Sequence, residues 1–158
     1  MKKLLITTLI ALGISTSLFA GHIQKSKVNA KASYTVLKKF NKDYPNATDV
    51  KWSIDGKFQK ADFIKNNIKM TAYYNWQNQF VALNMLVDAK IIPASTQKEI
   101  AAQYPDLGIN QFFVVQYNTE INPDAEEATY FVDLKNDSKE IVVRIAHDAH
   151  IHFFARIK

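Results

Sequence analysis

PASTQKEIAAQYP, residues 93–105, opens on a proline and closes on Tyr104-Pro105. Proline is favoured in the first turn of a helix. At the far end, Pro105 pushes the residue before it out of the α region. The stretch therefore predicts a short helix with a fixed stop. Sixty residues earlier, YTVLKKFNKDYP (residues 34–45) closes the same way, so that Phe40 aligns with Ile100, Tyr44 with Tyr104 and Pro45 with Pro105. An internal repeat fixes architecture. It predicts one helix-plus-sheet unit used twice, over residues 33–90 and 91–158, with the stretch 93–105 at the junction.

Local patterns fill in each unit. Ser33 is a suitable N-cap. Val36, Leu37, Phe40 and Tyr44 then recur at helical spacing, with Lys38, Lys39 and Lys42 outward. In the second unit, Thr96 and Glu99 have the spacing of a capping box. After each helix the period changes to two. Strands are predicted at 50–54, 57–64, 68–74 and 80–87, and again at 112–117, 128–134, 141–146 and 151–157, with turn residues between them. Asp55-Gly56 is a strong hairpin signal. The fold class is α+β: a tandem repeat of helix plus antiparallel β-meander, forming one curved antiparallel sheet with both helices on one face. The other face is expected to be open. Alternation assigns to it Lys60, Asp62, Tyr73, Asn84, Phe131, Asp133, Arg144, His152, Phe154 and Arg156.

Residues 1–20 have the basic start, short apolar run and small final residue of a secretory signal peptide. The apolar run is too short to span a bilayer comfortably. Residues 21–32 are polar and basic and read as a flexible leader. The mature chain is expected to be periplasmic or secreted, without a membrane span. It has no cysteine, so an exported form has no disulfide and depends on its core. The formal charge of +5 is unevenly placed: nine lysines against five aspartates give 33–90 a net +4, and six basic against ten acidic residues give 91–158 a net −4. That split is not the footprint of a nucleic-acid binder.

Catalytic and cofactor patterns are missing. There is no cysteine nucleophile, no G-x-S-x-G and no phosphate loop, with four glycines in the whole chain. Glu126-Glu127 lie in a polar loop and read as solvated. The one metal-like feature is His147, His150 and His152, the last two spaced to share a strand face. Trp52, Phe63, Tyr44 and Tyr104 read as core. Tyr73, Phe131 and Phe154 share the predicted open face with Arg144 and Arg156, and interfaces favour aromatic and arginine side chains.

The order Tyr44-Pro45-Asn46-Ala47, Val50-Lys51-Trp52, Ala61-Asp62-Phe63, Tyr73-Tyr74, then Ile92-Pro93 and Tyr104-Pro105-Asp106 resembles the PepSY-like, β-lactamase-inhibitor-like family of small exported Bacteroidetes proteins. The resemblance covers residue 34 to the C-terminus. It implies a binding or inhibitory module and no enzyme. The expected function is protein binding through the open sheet face at Tyr73, Phe131, Arg144, Phe154 and Arg156. The expected partner is an exported protein, an enzyme or peptidase among the candidates. The alternative is a periplasmic carrier or sensor of a small ligand or metal at residues 147–152. A shared fold does not by itself transfer a target.

Overall fold

The computed structural model describes residues 32–158; the expected signal peptide and residues 21–31 of the expected leader lie outside the described residues. Among the described residues the order is α1 (Tyr34–Asp43), β1 (Thr48–Asp55), β2 (Phe58–Lys65), β3 (Ile68–Tyr74) and β4 (Phe80–Val87). A 3₁₀ turn, Ala89–Ile91, leads into α2 (Ala94–Gln103), β5 (Gly108–Tyr117), β6 (Ala128–Lys135), β7 (Glu140–Ile145) and β8 (Ile151–Arg156). The eight strands form one sheet in chain order, each antiparallel to the next. The β4–β5 step is the longest, and α2 makes that crossing.

Both helices stop by the same local chemistry. The Tyr44 N–H donates to the Phe40 carbonyl and the Tyr104 N–H to the Ile100 carbonyl, each at 2.8 Å. The following turns are closed by Ala47 N–H to Tyr44 O and Leu107 N–H to Tyr104 O, each at 3.1 Å. Counting on from these ends, Trp52 corresponds to Phe112. Cross-strand register continues the match, because Trp52 faces Ala61 and Phe112 faces Val132. Later turns match as well. Asn78 N–H bonds to Asn75 O at 3.0 Å, and Ala149 N–H bonds to Ala146 O at 3.0 Å. Asn78 and Ala149 both sit at positive φ, +63° and +67°.

The helices cover one face of the sheet. Val36 and Phe40 of α1 pack on Ala61, Phe63, Ala72, Tyr74 and Leu83. Phe40 meets Trp52 and Phe63 edge-on, at 5.2 and 5.0 Å between ring centres. Trp52 is half-buried, at the border of this cluster. On the other side of the crossing, Ile92 and Ile100 pack on Phe112, Val132, Leu134, Ile141 and Val143. The capping box at the start of α2 does not form. Pro93 is the N-cap, without a side-chain bond. Thr96 instead donates to the Ala149 carbonyl at 3.1 Å, and Glu99 accepts the Ile151 N–H at 3.2 Å. The nearby β7–β8 turn supplies partners that a capping box would otherwise provide.

The second face is not open. Tyr73, Val81, Ala82, Phe113, Val115, Phe131 and Val142 form a core there, and Phe58, Tyr117, Phe154 and Ile157 close its margin. Neither helix covers this face, so its side chains must shield one another. Strand twist and bulges bend a sheet in the sense that brings side chains of one face together. Two bulges also shift side chains between faces. At β3–β4, Tyr73 faces Ala82 and Tyr74 faces Phe80, so the extra residue Val81 turns onto the inner face with Ala82. At β7–β8, Val143 faces Phe153 and Val142 faces Ala155, so Phe154 is the extra residue.

Candidate binding surfaces

Of the residues expected on the face away from the helices, Arg156 is the one the register moves. It lies opposite Ile141, a core residue beneath α2. A one-residue bulge reverses every side chain beyond it. The exposed Arg156 therefore sits on the helix side. Tyr73 and Phe131 do lie on the inner face, but they are 5 % and 1 % exposed. Phe131 stacks on Phe113 with ring centres 5.4 Å apart and meets Phe154 edge-on at 4.8 Å. Tyr73 meets Phe58 edge-on at 5.9 Å. The expected accessible patch of five residues is thus divided: two are core, Phe154 is half-buried, Arg144 is part-exposed, and Arg156 faces the other way. Phe153 takes an outer position instead, 59 % exposed on the edge strand β8.

The three histidines do not converge. His150 precedes β8, and its Nδ1 lies 3.2 Å from Glu99 Oε2 on α2. His152 is opposite Arg144, on the other face. His147 Nε2 reaches toward Glu126 Oε2 at 3.7 Å. The expectation that His150 and His152 share a face fails because strand geometry begins only at Ile151. Among the described residues no group of three or more His, Cys, Asp or Glu side chains is placed to hold a metal ion.

Corresponding polar positions in the two halves differ. Asp62 and Asp133 match by register. Asp62 accepts the Thr71 hydroxyl from the neighbouring strand at 2.8 Å. The residue across from Asp133 is Val142, which has no side-chain donor. Asn110 Nδ2 donates to Asp133 Oδ2 at 2.6 Å, while Oδ1 is buried without a partner. Burial pushes the Asp133 carboxyl up to about 6; the Asn110 hydrogen bond opposes this and the nearby Glu140 charge adds to it.

A larger difference lies where the turn before the last strand of each half meets the helix start. In the first half the Ser33 N–H donates to Gln59 Oε1 at 2.7 Å. Gln59 Nε2 donates to the Asn75 carbonyl at 3.1 Å and to Asn78 Oδ1 at 3.3 Å. The Ser33 hydroxyl also donates to Asn78 Oδ1. Gln59 is 2 % exposed and the corner is filled. In the second half the corresponding residues are Pro93, Tyr130, Ala146 and Ala149, and all four line a half-open cavity of about 370 Å³.

No protein-family model and no curated protein sequence matches this chain. Solved structures do. The chain is similar to a DUF2874 family protein from Bacteroides uniformis, with TM-score 0.67 and 21 % identity over 80 % of this chain and 91 % of that one. It is similar to a BLIP-like protein from Bacteroides fragilis, with TM-score 0.60 and 14 % identity over 80 % and 86 % of the two chains. A protein from Bacteroides eggerthii, provisionally described as periplasmic, gives TM-score 0.68 and 17 % identity over 81 % and 91 %. At these identities the likeness is one of fold, BLIP-like in the case of the Bacteroides fragilis protein. No helix among the described residues is long and apolar enough to cross a membrane.

Three residues near these surfaces escape a sequence reading. Alternation assigns Phe153 to the core side, but on the edge strand it is largely exposed. Tyr130 follows the apolar phase and is nonetheless 43 % exposed. Glu126 reads as loop charge, yet its carboxylate oxygens lie 3.8 Å from Arg144 and 3.7 Å from His147. A ten-residue connection between β5 and β6, against two residues between β1 and β2, is the signal that could have drawn notice.

Proposed function

We propose that this chain is an exported, non-enzymatic binding module whose partner is a protein, an exported enzyme or peptidase being the candidate class. The observation that carries this reading is the composition of β8. An edge strand leaves one row of backbone N–H and C=O groups free to pair with another chain. On β8 that row runs beside the exposed side chains of His152, Phe153 and Arg156. An exposed aromatic near an arginine is a usual make-up of an interface anchor. Arg144 and Phe154 lie just inward and extend the surface toward the curled face. Likeness in fold to a BLIP-like protein supports an inhibitory or capturing role. We also read residues 33–90 and 91–158 as two copies of one unit, a reading supported by their matching helix ends and turns.

Capture from periplasmic extract with residues 21–158 as bait tests the proposal. Phe153→Ala and Arg156→Ala should each weaken binding of the captured protein by about 1–3 kcal/mol while leaving the thermal melt in place. Wild-type affinity in both variants would remove β8 as the binding surface. Binding lost on chelation would favour the metal reading of residues 147–152.

A further inference from the structure

We infer that the cavity in the second half is a small-ligand site for a compact aromatic amine: one apolar ring with a single protonated nitrogen. The inference is independent of the β8 surface. It rests on what has replaced the first-half lock. Four hydrogen-bonding groups, Ser33, Gln59, Asn75 and Asn78, close that corner. At the matching positions Pro93 has no N–H, Ala146 and Ala149 have no polar side chain, and Tyr130 presents a ring. The backbone turn is retained, even to a positive φ at Ala149. A corner with the same backbone and none of the polar filling leaves apolar walls and empty volume.

The size and walls select the body of the ligand. A volume of about 370 Å³ is at the small end of the range for ligand pockets. Tyr130 lies nearly parallel to Phe112, ring centres 6.1 Å apart at 17°, so its ring face forms one wall. A flat apolar group can pack along that wall. The polar rim selects the head group. Glu126 is the only carboxylate on the lining. Its basic neighbours Arg144 and His147 stand at 3.8 and 3.7 Å, beyond hydrogen-bond range. The carboxylate therefore keeps acceptor positions for an ammonium group, and an ionised donor forms the stronger bond there. A carboxylate ligand would meet Glu126 with like charge, and the nearby Arg144 is already within ion-pair distance of Glu126 rather than free to receive it.

Methyl NMR of the mature chain, reading Ile91 and Ile145, tests this with three probes: 2-phenylethylamine, 2-phenylethanol and 3-phenylpropionate. The amine should give saturable shifts at both residues, the alcohol should bind about tenfold more weakly, and the acid more weakly still. Glu126→Gln should bring amine affinity down to that of the alcohol and leave the alcohol unchanged. Ala146→Leu should block amine and alcohol alike; if that variant fails to give a folded spectrum, Tyr130→Ala should weaken both through loss of the ring wall. No saturable shift with any probe would overturn the site. Equal affinity for all three, or an amine affinity indifferent to Glu126→Gln, would overturn the assignment of ligand class.

Discussion

The two halves of this chain share the hydrogen bonds that end their helices and close their later turns, and they treat the same corner in opposite ways. In the first half, Gln59 ties the start of α1 to the β3–β4 turn through Ser33, Asn75 and Asn78. In the second half, α2 is tied to the β7–β8 turn from deeper in the helix, by Thr96 and Glu99. The tie has moved by about one helical turn, and the vacated corner is a cavity. The aspartate pair shows the same drift. Asp62 has Thr71 as its cross-strand donor, whereas Asp133 faces Val142 and keeps one oxygen unpaired. The first half is polar and satisfied at these positions. The second has exchanged satisfaction for apolar walls and one unpartnered carboxyl oxygen, a pattern expected where function rather than stability sets the residue.

The strongest way to sharpen the contrast is at Phe131, whose first-half counterpart is Lys60. Phe131→Ala should cost about 3–5 kcal/mol in denaturant melts, as a buried aromatic does. A loss below about 1 kcal/mol would mean that the inner face is open after all. Next comes the lock itself. Gln59→Ala leaves the Ser33 N–H without its acceptor and should cost about 1–3 kcal/mol. Its counterpart change, Tyr130→Ala, should cost less than about 1 kcal/mol, because that residue is part-exposed and replaces no buried hydrogen bond. Equal costs would erase the distinction between lock and pocket.

The aspartate pair makes a pH prediction. Because burial raises the Asp133 carboxyl to about 6, the folded state holds this proton more tightly than the unfolded chain. The stability it contributes is complete below about pH 4 and is lost as pH rises through about 6. Asp133→Asn keeps an acceptor for Asn110 and cannot ionise. It should flatten stability across that window and raise it at pH 8 by about 1–3 kcal/mol. Melts of both proteins at pH 4, 6 and 8 check this. A wild-type stability that rises from pH 4 to 8, unchanged by the substitution, would contradict the assignment.

Much of the fold was legible because its signals are local. Proline after tyrosine stops both helices, and alternation places eight strands and the face of nearly every residue on them. Within the expected strands alternation fails where a bulge adds a residue, at Val81 and Phe154: Val81 leaves the phase of Leu83 and Met85, and Arg156 changes face. Whether a face is covered is a different matter. The period of a strand tells which side Tyr73 and Phe131 occupy, and nothing in it reports that the sheet curls over them. The capping box failed for a related reason. Thr96 and Glu99 have better partners 50 residues away, on a turn that only the folded sheet brings near. The cavity was not legible at all, since its four walls come from a helix start, a strand and a turn that pair by register.

The most direct measurement is xenon titration followed by methyl NMR, because xenon enters apolar cavities without needing a polar contact. The Ile91, Ile145 and Ala128 methyls, which line the second-half cavity, should shift and saturate, while Ala61, Ala72 and Leu83 beneath α1 stay in place. Matching shifts in both halves, or none in the second, would contradict the account of one filled corner and one open.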